Sequence, residues 1–209
     1  TCVAPDYVLV PKSQKQLLFD ELTLALKKMY PTYDKLATII NEKQLRRLIG
    51  LLDGEKIVYG GNFDLEKCFL EPTVVDEASL DAPLMQEEIF GGILPIIAYD
   101  DLEEIIQYLQ HKPKALACYI FSENKARAHA VLNRLSFGGG CINETILHLV
   151  NNRLPFGGVG QSGMGAYHGK TGFDTFTHYK SILVRGKIDM PLLYPPYSRR
   201  EVKLLKMFL

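Results

Sequence analysis

Four cysteines, Cys2, Cys68, Cys118 and Cys141, are the first candidates for chemistry in this 209-residue chain. A thiol is a nucleophile or a metal ligand only as thiolate, and a helix end or a nest of N–H groups can bring it to that form. The four are separated by 66, 50 and 23 positions, with no CxxC and no close pairing to histidine. Neither a zinc site nor a disulfide framework is expected, and reduced thiols suit the cytoplasm. Cys68, Cys118 and Cys141 fall in segments that read as strands, where a free cysteine behaves as a small hydrophobe. Cys2, within TCVAPDY, has no special claim from its own residues.

Two further clusters invite chemistry. In MQEEIFGG, Glu87 and Glu88 precede an apolar run, and neighbouring side chains on a strand or turn point to opposite sides. At most one of the pair faces a ligand, where a carboxylate beside an aromatic ring accepts ribose hydroxyls while the ring packs on a flat heterocycle. A solvated turn is the plainer reading. Gly158, Gly160 and Gly163 spell GxGxxG, but no β-branched strand precedes them and no βαβ unit follows, so a dinucleotide cradle is rejected. These glycines read as backbone fitting closely around something.

The elements that must position these residues alternate in type. YVLV (7–10) is a short apolar run closed by Pro11, and 13–30 has helical spacing with Ser13 as N-cap. A loop over 31–41 leads to a helix at 42–52, stopped by Asp53-Gly54. Extended segments follow at KIVYGG, CFLEPTVV (68–75) and FGGILPIIAY (90–99), then a helix at 101–111, a strand at 115–121, a helix at 123–135 and a strand at 138–143. HYKSILV (178–184) reads as a late strand, and prolines 191, 195 and 196 precede a basic amphipathic tail. Strands separated by helices predict an α/β fold, a mostly parallel sheet with helices on both faces.

Composition narrows the partners. Twenty-four basic residues cancel 24 acidic ones without a basic stripe, so the field that attracts nucleic acid or anionic lipid is lacking. No apolar run reaches the roughly 18 to 20 residues of a membrane span, and the stretch TCVAPDYVLV lacks the cationic region and long apolar run of a signal peptide. Thr1 stands where a methionine is usual, so the chain is expected to be a fragment.

Taken together, TCVAPDYVLVP, MQEEIFGGILPI and INETILHLVNNRLPFGGVGQSGMGAYHGKTGFDTFTHYKSIL occur in the order and spacing of an aldehyde dehydrogenase. They resemble its class 3 and fatty-aldehyde branch, from residue 1 to residue 197. The resemblance implies oxidation of an aldehyde to a carboxylic acid with NAD or NADP as hydride acceptor. It implies Cys2 as nucleophile, passing through a thiohemiacetal and a thioester, with Glu88 on the nicotinamide ribose and Phe90 packed beside it. Gly92 departs from the family's usual proline, which is expected to loosen the turn. The aldehyde pocket falls to Ile146, Leu149, Val150, Phe156 and His168, whose apolar and aromatic walls suit a medium or long aliphatic or an aromatic aldehyde. Asn143 matches a motif position with an expected structural role, and no metal is implied.

The resemblance also implies a catalytic domain over 1–177 and an oligomerisation strand and tail over 178–209, pairing two copies through 178–197. The family's dinucleotide-binding domain, general base and oxyanion asparagine lie before the nucleophile, so the 209 residues alone are expected to be inactive. A competing reading is a structural, oligomerising module without chemistry. A lesser one takes Thr1 as the nucleophile of an N-terminal-threonine hydrolase, against which the strand and helix alternation argues.

Overall fold

The computed structural model describes residues 1–188 and 194–208. They fall into two compact units, Thr1–Thr175 and Phe176–Leu209. The first begins with β1 (Val8–Pro11), α1 (Lys15–Met29), α2 (Glu42–Leu51) and β2 (Ile57–Tyr59). A short hairpin follows, β3 (Phe63–Asp64) with β4 (Phe69–Leu70), then β5 (Thr73–Asp76), β6 (Ile93–Tyr99) and α3 (Leu102–His111). The unit closes with β7 (Ala117–Ile120), α4 (Lys125–Leu132), β8 (Gly139–Ile142), α5 (Leu147–Val150) and α6 (Gly169–Thr175). In the second unit the helix α7 spans Arg199–Phe208.

The main sheet has the order β1-β6-β5-β2. Both β1 and β5 run parallel to β6, while β2 runs antiparallel at the edge. A second sheet pairs β7 and β8 in parallel, with Tyr119 opposite Cys141. This is the α/β, mostly parallel arrangement expected from the alternating pattern.

Strand β5 is buried at all four positions, so its alternate side chains must meet apolar cover on both faces. Val75 joins Leu45, Leu48 and Leu51 of α2 in one cluster. Its neighbour Val74 joins Val10 and Ile96 in another, packed by Leu18, Phe19, Leu22 and Leu26 of α1. The fully buried members, Leu45, Leu48, Val75 and Ile96, are each worth about 1.5–3 kcal/mol of transfer free energy. Side-chain caps fix where the helices start: Asn41 Oδ1 accepts from Gln44 N at 2.9 Å and Asp101 Oδ1 from Glu103 N at 2.8 Å. Asn124 Oδ1 accepts from Arg127 N at 3.0 Å.

Three expectations are corrected. Ser13 is not a cap: it lies inside a 3-10 turn, Lys12–Gln14, that feeds α1, and no side chain caps the helix. Cys68 sits in the turn before β4 with φ 49°, whereas Cys118 and Cys141 do lie in strands. The glycine-rich segment 158–175 carries a 3-10 turn, Gly160–Ser162, and ends in the helix α6. Residues 178–184 form no strand among the described residues, and Leu183 is 96% exposed. A strand exists only with a neighbouring ladder, and none of the described residues supplies one there. Leu192 and Leu193, and with them part of the 178–197 segment, lie outside the described residues.

No helix among the described residues is long and apolar enough to cross a membrane.

Candidate functional site: a cysteine turn tied to an acidic loop

The chain opens on a tight turn in which Ala4 N donates to Thr1 O at 3.1 Å. Val3 is fully buried, so the turn is anchored through that side chain while Cys2 stays exposed. Thr1 Oγ1 accepts from Val3 N at 3.4 Å, so the threonine hydroxyl serves the turn. Two polar contacts then fix the turn from opposite sides. Tyr119 of β7 donates its hydroxyl to Val3 O at 2.6 Å. Asp6 Oδ1 accepts from Ile89 N at 3.1 Å, and Phe90 N–H also faces that carboxylate. Burial pushes the Asp6 carboxyl up from the usual aspartate range, and the two backbone N–H groups oppose that push.

The loop on the far side of Asp6 is MQEEIF. Ile89 is buried beside α2, whereas Glu87 and Glu88 just before it are both exposed. Arg47 of α2 holds Glu87, with Nη1 2.7 Å from Oε1, and also donates to the carbonyls of Glu88 and Ile89. The Glu88 carboxylate is exposed and makes no hydrogen bond or ion pair among the described residues. Phe90, two residues on and with φ 52°, is 59% exposed. An exposed carboxylate and an exposed aromatic side chain two residues apart suit a ribose hydroxyl pair and a flat heterocycle, so these residues are compatible with a nicotinamide nucleotide. Gly91 sets the closeness of the loop to α2: a Cβ there would lie 2.6 Å from both terminal carbons of the buried Leu48. Gly92 does not leave the turn loose, because its carbonyl accepts from Thr73 N of β5 at 2.8 Å.

The five residues expected to line a pocket lie on and after α5. Ile146 and Leu149 are half-buried, whereas Val150 is 70% exposed. Phe156 and Tyr167 pair through a backbone bridge, and their rings meet edge to face at 5.7 Å. His168 packs 4.4 Å from Tyr167 and 6.1 Å from Phe156, and its Nδ1 lies 3.1 Å from Leu154 O. Phe156 and His168 therefore stand in one aromatic wall, while Val150 faces outward. Asn143 clamps a neighbouring strand end, with Oδ1 accepting from Ser122 N at 2.7 Å and Nδ2 donating to Ser122 O at 3.0 Å. The glycines of 157–165 fit around their own backbone: a Cβ on Gly157 would lie 2.1 Å from Gly165 O, and one on Gly158 2.0 Å from Ser162 O.

Three positioning residues escaped the sequence reading. Asp6 and Arg47 signal nothing by spacing, since their partners lie 83 and about 40 residues away. His148 is buried and rests with Nδ1 3.6 Å from Cys141 Sγ, a pairing across seven residues and a strand end. Burial holds its imidazole below the usual histidine range. Among the described residues no group of three or more His, Cys, Asp or Glu could hold a metal ion.

Residues 1–182 match the aldehyde dehydrogenase family. The chain is 45% identical, over its whole length, to 47% of a 4,4'-diaponeurosporen-aldehyde dehydrogenase from Staphylococcus aureus. It is 39% identical to a Bos taurus aldehyde dehydrogenase described as dimeric and NADP-preferring, covering 95% of this chain and 85% of that sequence. Among solved structures, a substrate-bound Staphylococcus aureus AldH superimposes with a TM-score of 0.87 at 45% identity, over 100% of this chain and 47% of its own. A Mycobacterium tuberculosis aldehyde dehydrogenase complexed with NAD+ superimposes with a TM-score of 0.75 at 28% identity, over 91% and 41%. The chain thus spans about half the length of the Staphylococcus aureus relative. A family match over 182 residues, joined to whole-chain identity at this level, means that the chain belongs to the aldehyde dehydrogenase family.

Proposed function

We propose that this chain carries the nucleophile of an enzyme that oxidises an aldehyde to the carboxylic acid, and that Cys2 is that nucleophile. The observation that carries the reading is the Asp6 carboxylate, which joins the Cys2 turn to the backbone of the EEIF loop at 3.1 Å. An exposed thiol and an exposed carboxylate with its aromatic neighbour are thereby held on one frame, as a reaction between a thiol-bound substrate and a bound nucleotide requires.

In this reading the Cys2 thiolate attacks the aldehyde carbon, forming a C–S bond while the carbonyl pair moves to oxygen. NAD or NADP supplies the acceptor for the hydride that leaves that carbon as the carbonyl re-forms. Cys2 then holds a thioester, which water cleaves to release the carboxylic acid and restore the thiol. Glu88 accepts the ribose hydroxyls and Phe90 packs the nicotinamide. The apolar and aromatic residues Ile146, Leu149, Phe156 and His168 face a medium or long aliphatic or an aromatic aldehyde, with Val150 at the outer rim. Both nucleotides have support among the relatives, one bound to NAD+ and one described as NADP-preferring.

The 209 residues alone are proposed to be inactive, because the proton acceptor and one oxyanion donor come from chain outside them. Residues 178–197 are proposed to pair two copies in a homodimer, with 1–177 as the catalytic domain. The exposed Ile182, Leu183 and Val184 support that pairing, and a strictly monomeric scattering mass at micromolar concentration excludes it. The site of action is proposed to be the cytoplasm, which fractionation of cells expressing the full-length protein tests.

The central test is Cys2→Ala in the full-length enzyme, followed by NAD(P)H formation with an aldehyde. Activity vanishes, while Cys68→Ala, Cys118→Ala and Cys141→Ala stay within a few-fold. Equal losses at Cys2 and Cys141 would refute the assignment, and full activity in Cys2→Ala would leave the chain as a structural module.

A further inference from the structure

Beyond the nucleophile itself, the contacts around Tyr119 join two parts of the site that lie far apart in sequence. Its hydroxyl donates to Val3 O at 2.6 Å, one residue after Cys2, and the Ile146 backbone N–H faces the same oxygen. A phenol can donate one hydrogen bond and accept others, so one atom serves both neighbours. Ile146 is held with φ 65° and ψ −35° at the entry to α5. A β-branched residue avoids positive φ, and such strain persists only where the surroundings impose it. The Tyr119 ring is itself fixed from behind. It meets His148 edge-on at 5.8 Å, and His148 is in turn held beside Cys141. His148 Nε2 is buried with no hydrogen-bond partner, so its ring is placed by packing and by the Nδ1 contact alone.

We propose that Tyr119 is a positioning residue for the reaction: its hydroxyl sets the Cys2 turn and the Ile146 wall in one register, coupling the nucleophile's placement to aldehyde selection. The proposal rests on the reading of Cys2 as nucleophile. Removing the hydroxyl leaves the Val3 carbonyl without its donor and takes away the oxygen that the Ile146 N–H faces. The turn then relaxes while the fully buried Val3 side chain keeps it attached. Displacements well under an ångström at a nucleophile are enough to slow a reaction without weakening nucleotide binding.

The test uses Tyr119→Phe in the full-length enzyme, beside Tyr99→Phe as a control at the end of β6 and Cys2→Ala as the reference. Expected for Tyr119→Phe are a roughly five- to tenfold fall in kcat and an unchanged KM for NAD(P). The ratio of kcat/KM for decanal to that for propanal also changes. Iodoacetamide alkylation of Cys2, followed by peptide mass spectrometry, changes in rate while that of Cys68 does not. Tyr99→Phe leaves all of these as in the wild type. Wild-type kinetics and alkylation in Tyr119→Phe, with Cys2→Ala inactive, overturn the positioning role and leave the nucleophile assignment standing. An active Cys2→Ala overturns the assignment on which the role depends. A fall in every constant together, or a Tyr119→Phe protein that fails to fold while Tyr99→Phe folds, makes the hydroxyl structural and overturns the proposal.

Discussion

Asp6→Ala separates the frame from the nucleophile. The Asp6 carboxylate faces two backbone N–H groups, of Ile89 and Phe90, and Ile89 is only 1% exposed. Hydrogen bonds to a charged acceptor contribute about 1.5–3 kcal/mol each, and a buried donor left unpaired costs about 1–3 kcal/mol. Against these stands the burial of the carboxylate, the largest influence on its titration and an unfavourable one for charge. The net loss for Asp6→Ala is therefore about 2–3 kcal/mol, and at 2–4 °C per kcal/mol for a chain of this size Tm falls by about 4–12 °C. Asp6→Asn keeps an acceptor oxygen and removes the charge, so it stays within about 1 kcal/mol of the wild type.

The sign of the pH dependence follows from the same opposition. An acid whose folded pKa is raised keeps its proton in the folded state after the unfolded chain, near pH 4, has lost it. The wild type is then most stabilised relative to Asp6→Asn below pH 4, and loses that advantage as pH rises through the folded pKa. Thermal melts of the three proteins from pH 3.5 to 7 measure this, and NAD(P) KM measured on the full-length enzymes reports the loop. Asp6→Ala raises that KM by about tenfold because Phe90 is no longer held. Melting and KM equal to the wild type in Asp6→Ala would show that the turn and the EEIF loop are placed independently. An Asp6→Asn protein as damaged as Asp6→Ala would show that charge, rather than the accepted hydrogen bonds, does the holding.

Glu88→Gln in the full-length enzyme weakens nucleotide binding and changes the rate-limiting step without abolishing turnover, since an amide oxygen still accepts one hydroxyl; unchanged NAD(P) KM and kcat remove its ribose role. At the end of β5, burial raises the Asp76 pKa, but the ammonium groups of Lys15 and Lys56, 2.8 and 2.6 Å from its two oxygens, outweigh it and hold the carboxyl below the usual range. Asp76→Asn costs about 2–3 kcal/mol in urea unfolding at pH 7, toward the low side for a buried pair because Lys56 is 69% exposed. With a depressed folded pKa the contribution is present above the unfolded value near pH 4 and fades as pH falls through the folded one, so the two proteins converge in acid; a constant difference down to pH 2 contradicts the ion cluster.

The sheet was legible where local pattern and tertiary demand agree. FGGILPIIAY yields β6 because a run of aliphatic residues without polar alternation can only be satisfied by cover on both faces, and α1 and α2 provide it. HYKSILV ends on a shorter aliphatic run, Ile182 to Val184, yet forms no strand among the described residues. Apolar content states a need for a ladder, and the ladder's presence depends on what lies alongside. The site divides in the same way. That at most one of the adjacent Glu87 and Glu88 would stay available is a local inference, so it could be read directly, and Arg47 takes the first acid while the second has no partner among the described residues. Which contacts hold Cys2 could not be read, because they are made by Asp6 across 83 residues and by Tyr119 across 116. Neither carries a spacing signal. Both nevertheless share one physical ground, that backbone polar groups away from water need partners: the Val3 carbonyl finds the Tyr119 hydroxyl of β7, and the Ile89 N–H finds the Asp6 carboxylate. An exposed cysteine on such a turn is therefore as well placed as the polar side chains below it, and these are more informative targets for mutation than the four cysteines alone.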